Sequence, residues 1–364
     1  MENFVNNKMK INKEDKIIIF RSAFIGDFLV CLPFFDYLIN DIGVSKENIY
    51  FITINNKNLN PLKFIFREES VLSLHSMVID SYNTKSIIKS AINIKILLKD
   101  INISKTIYLS FLNESLMSKI KKMILIKYIV GIKQKIYGIE FNKNKVNYSQ
   151  YLSYFDSIGV VYKKKKIELD SLLNFTNEEH LKVKNIYENN TNINIALYIN
   201  SKLKMKIWPK ENFLEIISYI KKKYNANIYL IGDSNDFNYN KIFINTYNIN
   251  GVKNIAGQLS IRETFLFFNK IDLLVANDGA PIHMASYTNC SILGLYTYKE
   301  PIGSWAPNLS ESYVIYRKNV ACKECYLSEC EDPICLTNIK ASDIQYSIDL
   351  LIKKIIIKQE IILS

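Results

Sequence analysis

One stretch of the sequence combines small turn residues with the start of a helix, an arrangement suited to binding an anion. Within Ile271–Leu295, an apolar run typical of a buried strand leads to the turn Asn277–Ala280, and Pro281 suits the first helical position. Small residues there let a ligand approach backbone N–H groups at the positive end of a helix, which favours phosphate. Any α/β protein also repeats strand, turn and helix without a ligand, so this stretch alone leaves both interpretations open.

A second candidate is the carboxylate Asp27, which follows the apolar run Lys16–Phe20 and the turn Arg21–Gly26. Apolar spacing from Asp27 to Ile39 predicts a helix, with Pro33 as a kink inside it. A carboxylate at a helix start is stabilised by the helix dipole, so spacing alone favours an ordinary N-cap. The functional alternative is a base at the carboxyl edge of the first strand, where open α/β sheets bind ligands.

The elements around these residues alternate between strands and helices in two successive series. In the first series, predicted strands cover 49–54, 76–79 and 105–110 and a helix covers 85–99; the second series restarts with strands at 194–199 and 228–231 and helices at 210–224 and 261–270. Ser260 and Glu263 form a predicted capping box at the last of these helices. The alternation predicts an α/β fold of two Rossmann-like domains with parallel sheets that face each other across a cleft. The predicted domains cover residues 1–175 and 190–340, joined by the polar stretch 174–194.

Composition limits the class of protein. The chain has 364 residues, 48% of them hydrophobic, which is enough for two cores and excludes a disordered protein. The net charge of +12 would suit nucleic acid, an acidic substrate or an anionic membrane surface, and of these we favour the lipid surface. Because no run is long enough to span a bilayer and the N-terminus lacks a signal-peptide core, we expect a cytoplasmic protein, peripheral at the inner membrane face if it binds lipid.

Four of the six cysteines lie close together in the sequence. They are spaced Cys322-x2-Cys325-x4-Cys330-x4-Cys335. Four thiolates could close a tetrahedral structural zinc site, although the x4 spacing is looser than that of zinc ribbons. Cys31 is predicted, like Cys290, to be a small buried apolar residue.

Four short blocks share the order and spacing of the motifs of one known family. They read Arg21-Ser-Ala-Phe-Ile-Gly-Asp27 with Pro33, Lys206-Ile-Trp-Pro209 with Phe213, Asn254-Ile-Ala-Gly257 with Glu263, and Asn277-Asp278 with Pro281 and His283. Each block is weak evidence by itself, but their order across residues 16–340 is specific. In these blocks the chain resembles glycosyltransferase family 9, which includes the lipopolysaccharide heptosyltransferases.

The resemblance implies a two-domain GT-B enzyme that inverts the anomeric centre and requires no catalytic metal or other cofactor. It implies a nucleotide-diphosphate sugar as donor, with ADP-heptose favoured, and a lipid-linked lipopolysaccharide core glycan as acceptor; no nucleic acid partner is expected. Two alternatives remain open. The same fold could use another nucleotide sugar for a surface glycan or protein acceptor, or the protein could bind a nucleotide sugar without turnover.

The resemblance also implies residue roles in transfer. Asp27 becomes the catalytic base that takes the acceptor proton, and Arg21 becomes an acceptor contact. Donor binding is assigned to Lys206, Asp236, Asp278, Gly279, Ala280 and His283. Among these, Lys206 and the backbone N–H groups after Asp278 would hold the leaving diphosphate, and His283 would contact a phosphate. Asp236 would hold the ribose hydroxyls.

Two further features bear on these roles. The family's usual Thr-Gly before Pro281 is Gly279-Ala280 here, which removes a hydroxyl that could bind phosphate. The apolar stripe of Ser342–Ile362 predicts a C-terminal helix within residues 341–364, and the resemblance implies that it crosses back to the N-terminal domain. Trp208 is interpreted as a packing residue.

Overall fold

The chain divides into two compact units, Met1–Asn174 and Phe175–Ser364. The computed structural model describes residues 10–21, 25–55, 75–80, 84–109, 124, 125, 127, 136–139, 155, 160, 167, 169–187, 191–301, 303–307, 309–327, 329–355 and 358–364. Within these ranges, no helix has the length and apolar character needed to cross a membrane.

The N-terminal unit is built on a five-stranded sheet in the order β3-β2-β1-β4-β5, and every pairing in it is parallel. The strands are β1 Ile17–Arg21, β2 Ile49–Asn55, β3 His75–Asp80, β4 Lys105–Leu109 and β5 Ile136–Ile139. Strand β1 is fully buried, because its continuous apolar run must be covered on both faces of a parallel sheet. Strand order reverses between β1 and β4, so the carboxyl end of β1 lies at the switch point of this sheet.

The described part of this unit contains four α-helices, which are α1 Ile25–Leu29, α2 Leu32–Asp36, α3 Thr84–Leu97 and α4 Leu169–Leu173. The helix predicted from Asp27 to Ile39 is confirmed as helical structure but not as one helix, since α1 and α2 are separate and α2 continues as a π-helical turn over Tyr37–Asp41. Residues 30 and 31 form a turn that separates α1 from α2, and Pro33 lies in the first turn of α2, where its missing N–H leaves no helical bond unmade. The apolar segment 124–132 and the segment 148–159, which has helical apolar spacing, fall mostly outside the described residues.

The C-terminal unit contains a seven-stranded sheet in the order β12-β11-β10-β9-β6-β7-β8, again with parallel pairings throughout. The strands are β6 Ile193–Tyr198, β7 Ala226–Leu230, β8 Val252–Asn254, β9 Leu273–Asn277, β10 Ser291–Leu295, β11 Tyr313–Lys318 and β12 Lys358–Leu363. Here the order reverses between β6 and β9. A ligand site is therefore expected beyond the carboxyl ends of these two strands.

Seven described helices flank this sheet: α5 Asn177–Ile186, α6 Lys210–Lys223, α7 Asp236–Thr246, α8 Ile261–Phe268, α9 Ala280–Ala285, α10 Ile334–Thr337 and α11 Ala341–Ile352. Two expectations need correction. The stretch 174–194, predicted as a linker, contains α5. The predicted C-terminal helix ends at Ile352, and residues Lys358–Leu363 form strand β12 instead, parallel to β11.

Helices α5 and α8 are joined by two reciprocal ion pairs that use their own capping residues. The capping box predicted at Ser260 and Glu263 is confirmed, and a second box pairs Thr176 with Glu179 at the start of α5. Arg262 Nε donates to Glu179 Oε1 at 2.6 Å, and Lys182 Nζ donates to Glu263 Oε2 at 2.8 Å. Each capping glutamate therefore also binds a basic side chain of the other helix.

Candidate functional site

The candidate site lies where the loops after β6, β7, β9 and β10 leave the carboxyl edge of the seven-stranded sheet. The switch from β6 to β9 opens this edge, and the sequence-predicted donor residues follow three of the four strands. The loop after β6 carries Lys206, the loop after β7 leads to Asp236, and the loop after β9 carries Asp278 and Gly279.

The centre of the site is an ion pair between Lys206 and Asp278. Lys206 ends a one-turn 3-10 helix, Lys204–Lys206, and its Nζ lies 2.5 Å from Asp278 Oδ2. The two side chains are 16% and 9% exposed, so solvent screens the pair weakly. Burial alone would raise the pKa of the Asp278 carboxyl, but the Lys206 ammonium outweighs it and holds that pKa below its ordinary value. The sequence placed these residues 72 positions apart, and the fold brings them together.

His283 lies beside this pair as a neutral imidazole. It is buried in helix α9, and burial lowers its pKa to about 4, against the opposing effect of Asp278. Its ring centroid is 5.8 Å from that of Trp305, which follows β10. A neutral histidine can donate one hydrogen bond and accept another, so His283 can serve as a hydrogen-bonding group in the site without adding charge.

Glu300 is a site residue that the sequence reasoning missed. Burial raises the pKa of its carboxyl, Lys206 and Asp278 both act on that carboxyl electrostatically, and the side chain of Trp305 hydrogen-bonds to it. Lys299 Nζ lies 3.8 Å from Glu300 Oε1, and the Glu300 side chain is 22% exposed. The available signal was its position, since loops at the carboxyl ends of parallel strands carry ligand-binding groups.

The loop that holds Glu300 and Trp305 is tethered by the two last strands of the sheet. Arg317 of β11, only 1% exposed, donates from Nη1 to the Glu300 carbonyl oxygen at 2.8 Å. Glu360 of β12 accepts from the Gly303 N–H at 3.1 and 3.2 Å and lies 3.9 Å from Arg317 Nη2. The C-terminal strand, predicted as helix, therefore helps to position a loop of the site.

Asp236 braces the loops after β6 and β7. Its Oδ1 accepts from Asn200 Nδ2 at 2.6 Å, and its Oδ2 accepts from the Asp233 N–H at 2.8 Å. Gly232 has φ +151°, and a Cβ there would overlap the Asp236 carboxylate, so glycine is required on both counts. Because both oxygens hold the loops, the predicted contact of Asp236 with ribose stays a prediction, and Asp233 offers an exposed carboxylate next to it.

The turn Asn277–Ala280 is held rigidly at the end of β9. Asn277 Oδ1 accepts from the Trp208 N–H at 3.1 Å, and its Nδ2 donates to the Asn200 carbonyl oxygen at 3.3 Å. A Cβ on Gly279 would lie 3.2 Å from the Tyr198 ring, closer than usual packing allows. Trp208 is fully buried and donates from Nε1 to the Ile339 carbonyl oxygen at 2.8 Å, which confirms its interpretation as a packing residue.

The two predicted residues of the N-terminal unit lie at the switch point of its own sheet. Arg21 is the last residue of β1 and is fully buried. Asp27 lies in α1, directly beyond that carboxyl end, and its side chain is outside the described part of the chain. The backbone therefore places Asp27 where a ligand of a parallel sheet would bind, and its catalytic role stays a prediction.

The four clustered cysteines are free thiols. Cys335 is buried in α10, and burial raises the pKa of its thiol, whereas Cys322 is exposed. In the described part of the chain, no three or more histidine, cysteine, aspartate or glutamate side chains are arranged to hold a metal ion. The structural zinc site therefore stays a prediction without support from this arrangement. Cys31 and Cys290 are buried, as predicted.

Two Rossmann-like units with parallel sheets, together with structural likeness to solved proteins, define the GT-B class of α/β folds. A protein of family 9 from Veillonella parvula matches over 96% of this chain and 100% of its own, with a TM-score of 0.70 and 14% identity. The ADP-heptose lipopolysaccharide heptosyltransferase II of Escherichia coli matches over 93% and 99%, with a TM-score of 0.62 and 14% identity. The predicted α/β fold of two Rossmann-like domains with parallel sheets is thereby confirmed.

The sequence places the chain in one family of that class. The profile of glycosyltransferase family 9 (heptosyltransferase) matches residues 134–334, more than half of the chain, so this protein belongs to that family. A Haemophilus influenzae relative, the lipopolysaccharide core heptosyltransferase OpsX, is 32% identical over 68 residues, which span 18% of this chain and 19% of that protein. The profile match contains the Lys206–Asp278 site, whereas Asp27 and Arg21 lie outside it.

Proposed function

We propose that this protein transfers heptose from ADP-heptose to a lipid-linked lipopolysaccharide core acceptor, with inversion and without a catalytic metal. The observation that carries the proposal is the buried Lys206–Asp278 pair beside neutral His283, at the switch point of the C-terminal sheet. The names of two similar proteins, heptosyltransferase OpsX and ADP-heptose heptosyltransferase II, supply the sugar and the acceptor. We further propose that the protein works at the cytoplasmic face of the inner membrane.

The donor would bind with its diphosphate at Lys206. Asp278 keeps the ammonium charged and oriented before the donor arrives, and Lys206 then bridges Asp278 and a phosphate oxygen. A preformed cation in a weakly solvated site stabilises the charge that grows on the leaving diphosphate, which is the role a divalent ion has in other enzymes. His283 would donate a hydrogen bond to the same group, and the turn at Gly279 would admit the donor closely.

In the transfer step, the acceptor hydroxyl oxygen forms a bond to the anomeric carbon on the face opposite the leaving group. The bond from that carbon to the diphosphate oxygen breaks, and its electron pair stays with ADP. Asp27 takes the hydroxyl proton, as a carboxylate base at the carboxyl end of β1 can do.

Donor identity is tested by ligand-induced stabilisation. Both tryptophans of the chain, Trp208 and Trp305, lie in the C-terminal unit, so their fluorescence reports unfolding of the donor-binding unit alone. We expect ADP-heptose to raise its melting temperature selectively over GDP-, UDP-, CMP- and dTDP-sugars, since a ligand of the folded state stabilises that state. If another nucleotide sugar raised the melting temperature selectively, that sugar would replace ADP-heptose as the proposed donor. If no nucleotide sugar raised it, the proposed nucleotide-sugar site would be refuted.

The base is tested by Asp27→Asn with Asp41→Asn as the matched control, because Asp41 is an exposed carboxylate of the same unit. We expect Asp27→Asn to lower kcat by about 10²–10⁴ and to leave the ADP-heptose thermal shift unchanged. The control should keep full turnover. Retained turnover in Asp27→Asn would refute its role as base without affecting the donor site.

A further inference from the structure

Helix α3 of the N-terminal unit has one face that packs on the sheet and an opposite face with an unusual composition. Its inner face contributes Ala91 and Ile94, and Leu98 just after its end adds to the same buried core over β1 and β2. The outer face exposes Ile88 by 43%, Ile92 by 46% and Ile96 by 65%. These residues follow the spacing i, i+4, i+8, so they form one continuous apolar row along the helix.

Lysines border this row on both sides. Lys85, Lys89 and Lys95 of the helix are exposed, as is Lys99 two residues beyond its end, and the helix itself contains no acidic residue. Asp100, beyond Lys99, is the first carboxylate that follows in sequence. The outer face is therefore both apolar and strongly positive.

Helix α6 shows that this composition is not imposed by the chain's general bias toward lysine and isoleucine. It also has 14 residues and packs one face on its sheet, yet its exposed positions are Glu211, Glu215, Ser218 and Lys221–Lys223. The exposed face of α6 thus contains acids as well as lysines and no isoleucine. The row on α3 is a local feature of that helix.

We propose that the outer face of α3 binds the surface of an anionic lipid bilayer. The three isoleucines would enter the boundary between headgroups and acyl chains, and the four lysines would contact lipid phosphates. Charge complementarity favours an anionic bilayer as the binding partner, because each lysine near such a surface lowers the free energy of binding and no carboxylate of the helix opposes it. The inner face already fixes the helix on its core, so docking has no folding cost.

The place of α3 in the fold connects this surface to the acceptor side of the protein. Asp80 ends β3 and Thr84 begins α3, so the helix starts at the carboxyl edge of the sheet. The parallel strand β1 ends at the same edge, directly before α1 with Asp27. The use of the surface, to hold Asp27 near a lipid-linked acceptor, rests on the proposed function; the binding itself does not.

Vesicle sedimentation of the full chain tests the proposal. Vesicles of phosphatidylcholine are compared with vesicles of phosphatidylcholine and phosphatidylglycerol in equal parts. Wild type should bind the mixed vesicles and lose most binding at high salt, because exposed charges are screened. The pair Lys85→Gln/Lys89→Gln and the pair Ile92→Gln/Ile96→Gln should each lower the partition coefficient about tenfold or more.

Matched controls come from the C-terminal unit. Lys222→Gln/Lys270→Gln removes two exposed lysines, and Ile242→Gln removes an isoleucine that is 58% exposed. These variants should bind within about twofold of wild type, since the attraction of a lysine to anionic lipid acts only near the membrane surface. Because every substituted side chain is exposed, unchanged melting temperatures are expected and should be verified.

Three outcomes would overturn the proposal. Wild type could fail to bind mixed vesicles, or the controls could lose as much binding as the α3 variants. Alternatively, sedimentation equilibrium could show a dimer that Ile92→Gln/Ile96→Gln dissociates, which would assign the face to a second copy of the chain. The thermal shift with ADP-heptose is measured separately from vesicle binding. A failure of ADP-heptose to bind would therefore not affect the membrane proposal, and a failure to bind vesicles would not affect the donor proposal.

Discussion

Removal of Lys206 should change not only the stability of the C-terminal unit but also the direction in which that stability depends on pH. The Lys206→Met variant leaves the Asp278 carboxyl, 9% exposed, without the ammonium that now lies 2.5 Å away. Breaking a buried pair from one side costs about 3–5 kcal/mol. Since the Lys206 side chain is still 16% exposed, we expect the lower end, about 3 kcal/mol.

The pH dependence follows from the pKa of Asp278. In wild type this pKa is held below its ordinary value, so the pair stabilises the fold above the unfolded pKa of about 4 and the contribution is lost as the pH falls through the lower, folded value. In Lys206→Met, burial becomes the largest effect on the Asp278 carboxyl, opposed only by the weaker electrostatic effects of His283 and Arg317, and it raises the pKa. The destabilisation should then be small in acid, where the carboxyl is protonated, and should grow as the pH rises.

Tryptophan fluorescence makes the assay specific, because Trp208 and Trp305 both belong to the C-terminal unit. For a unit of this size, a loss of about 3 kcal/mol corresponds to a drop in Tm of about 6–12 °C. The double variant Lys206→Met/Asp278→Asn closes a mutant cycle and should be more stable than the sum of the single changes predicts. A cost below about 1 kcal/mol, additive in the cycle, would mean a solvent-screened pair and would refute the reasoning.

Three further predictions concern the C-terminal unit. Glu360→Gln removes the charge beside buried Arg317 and should destabilise the unit by about 2–4 kcal/mol and shift the Trp305 emission, which fluorescence can measure. Asp349→Asn weakens the hydrogen bonds from Tyr219 and Tyr224 and should cost about 1–2 kcal/mol by urea unfolding. In wild type the pKa of the Asp349 carboxyl is lowered, because the hydrogen bonds from Lys223 and the two tyrosines outweigh burial. The stabilisation that Asp349 gives the folded unit should therefore be lost as the pH falls. Metal analysis of the purified protein should find one zinc per chain if the cysteine prediction is right.

Local patterns predicted the elements where burial and periodicity agree. The apolar runs of β1, β9 and β10 are long enough for strands buried on both faces, and the helix α6 has one clear apolar stripe. The capping box at Ser260 was readable for the same reason, because its bonds join residues three positions apart.

Local sequence patterns gave the wrong element where the same residues suit more than one type of backbone structure. The segment Lys358–Leu363 continues the isoleucine-rich pattern of α11, which suits a helix as well as a strand. It forms a strand because it pairs with β11, whose other side already pairs with β10. Likewise, a proline such as Pro33 is found both at helix kinks and in the first turn of a helix. Pro33 is in the first turn of α2 because residues 30 and 31 end the preceding helix.

Residue types and local spacing were sufficient to predict the family, most of the strands and helices, and the residues available to bind a diphosphate: Lys206, Asp278 and His283. These depend on identity and local spacing, which the chain carries directly. The structure was needed to show that Lys206 and Asp278 meet as a buried pair, that Glu300 lies near them, and that Glu360 tethers the loop of Glu300. Such contacts join positions far apart in sequence, and they arise from the order of parallel strands, which brings distant loops to one edge of the sheet.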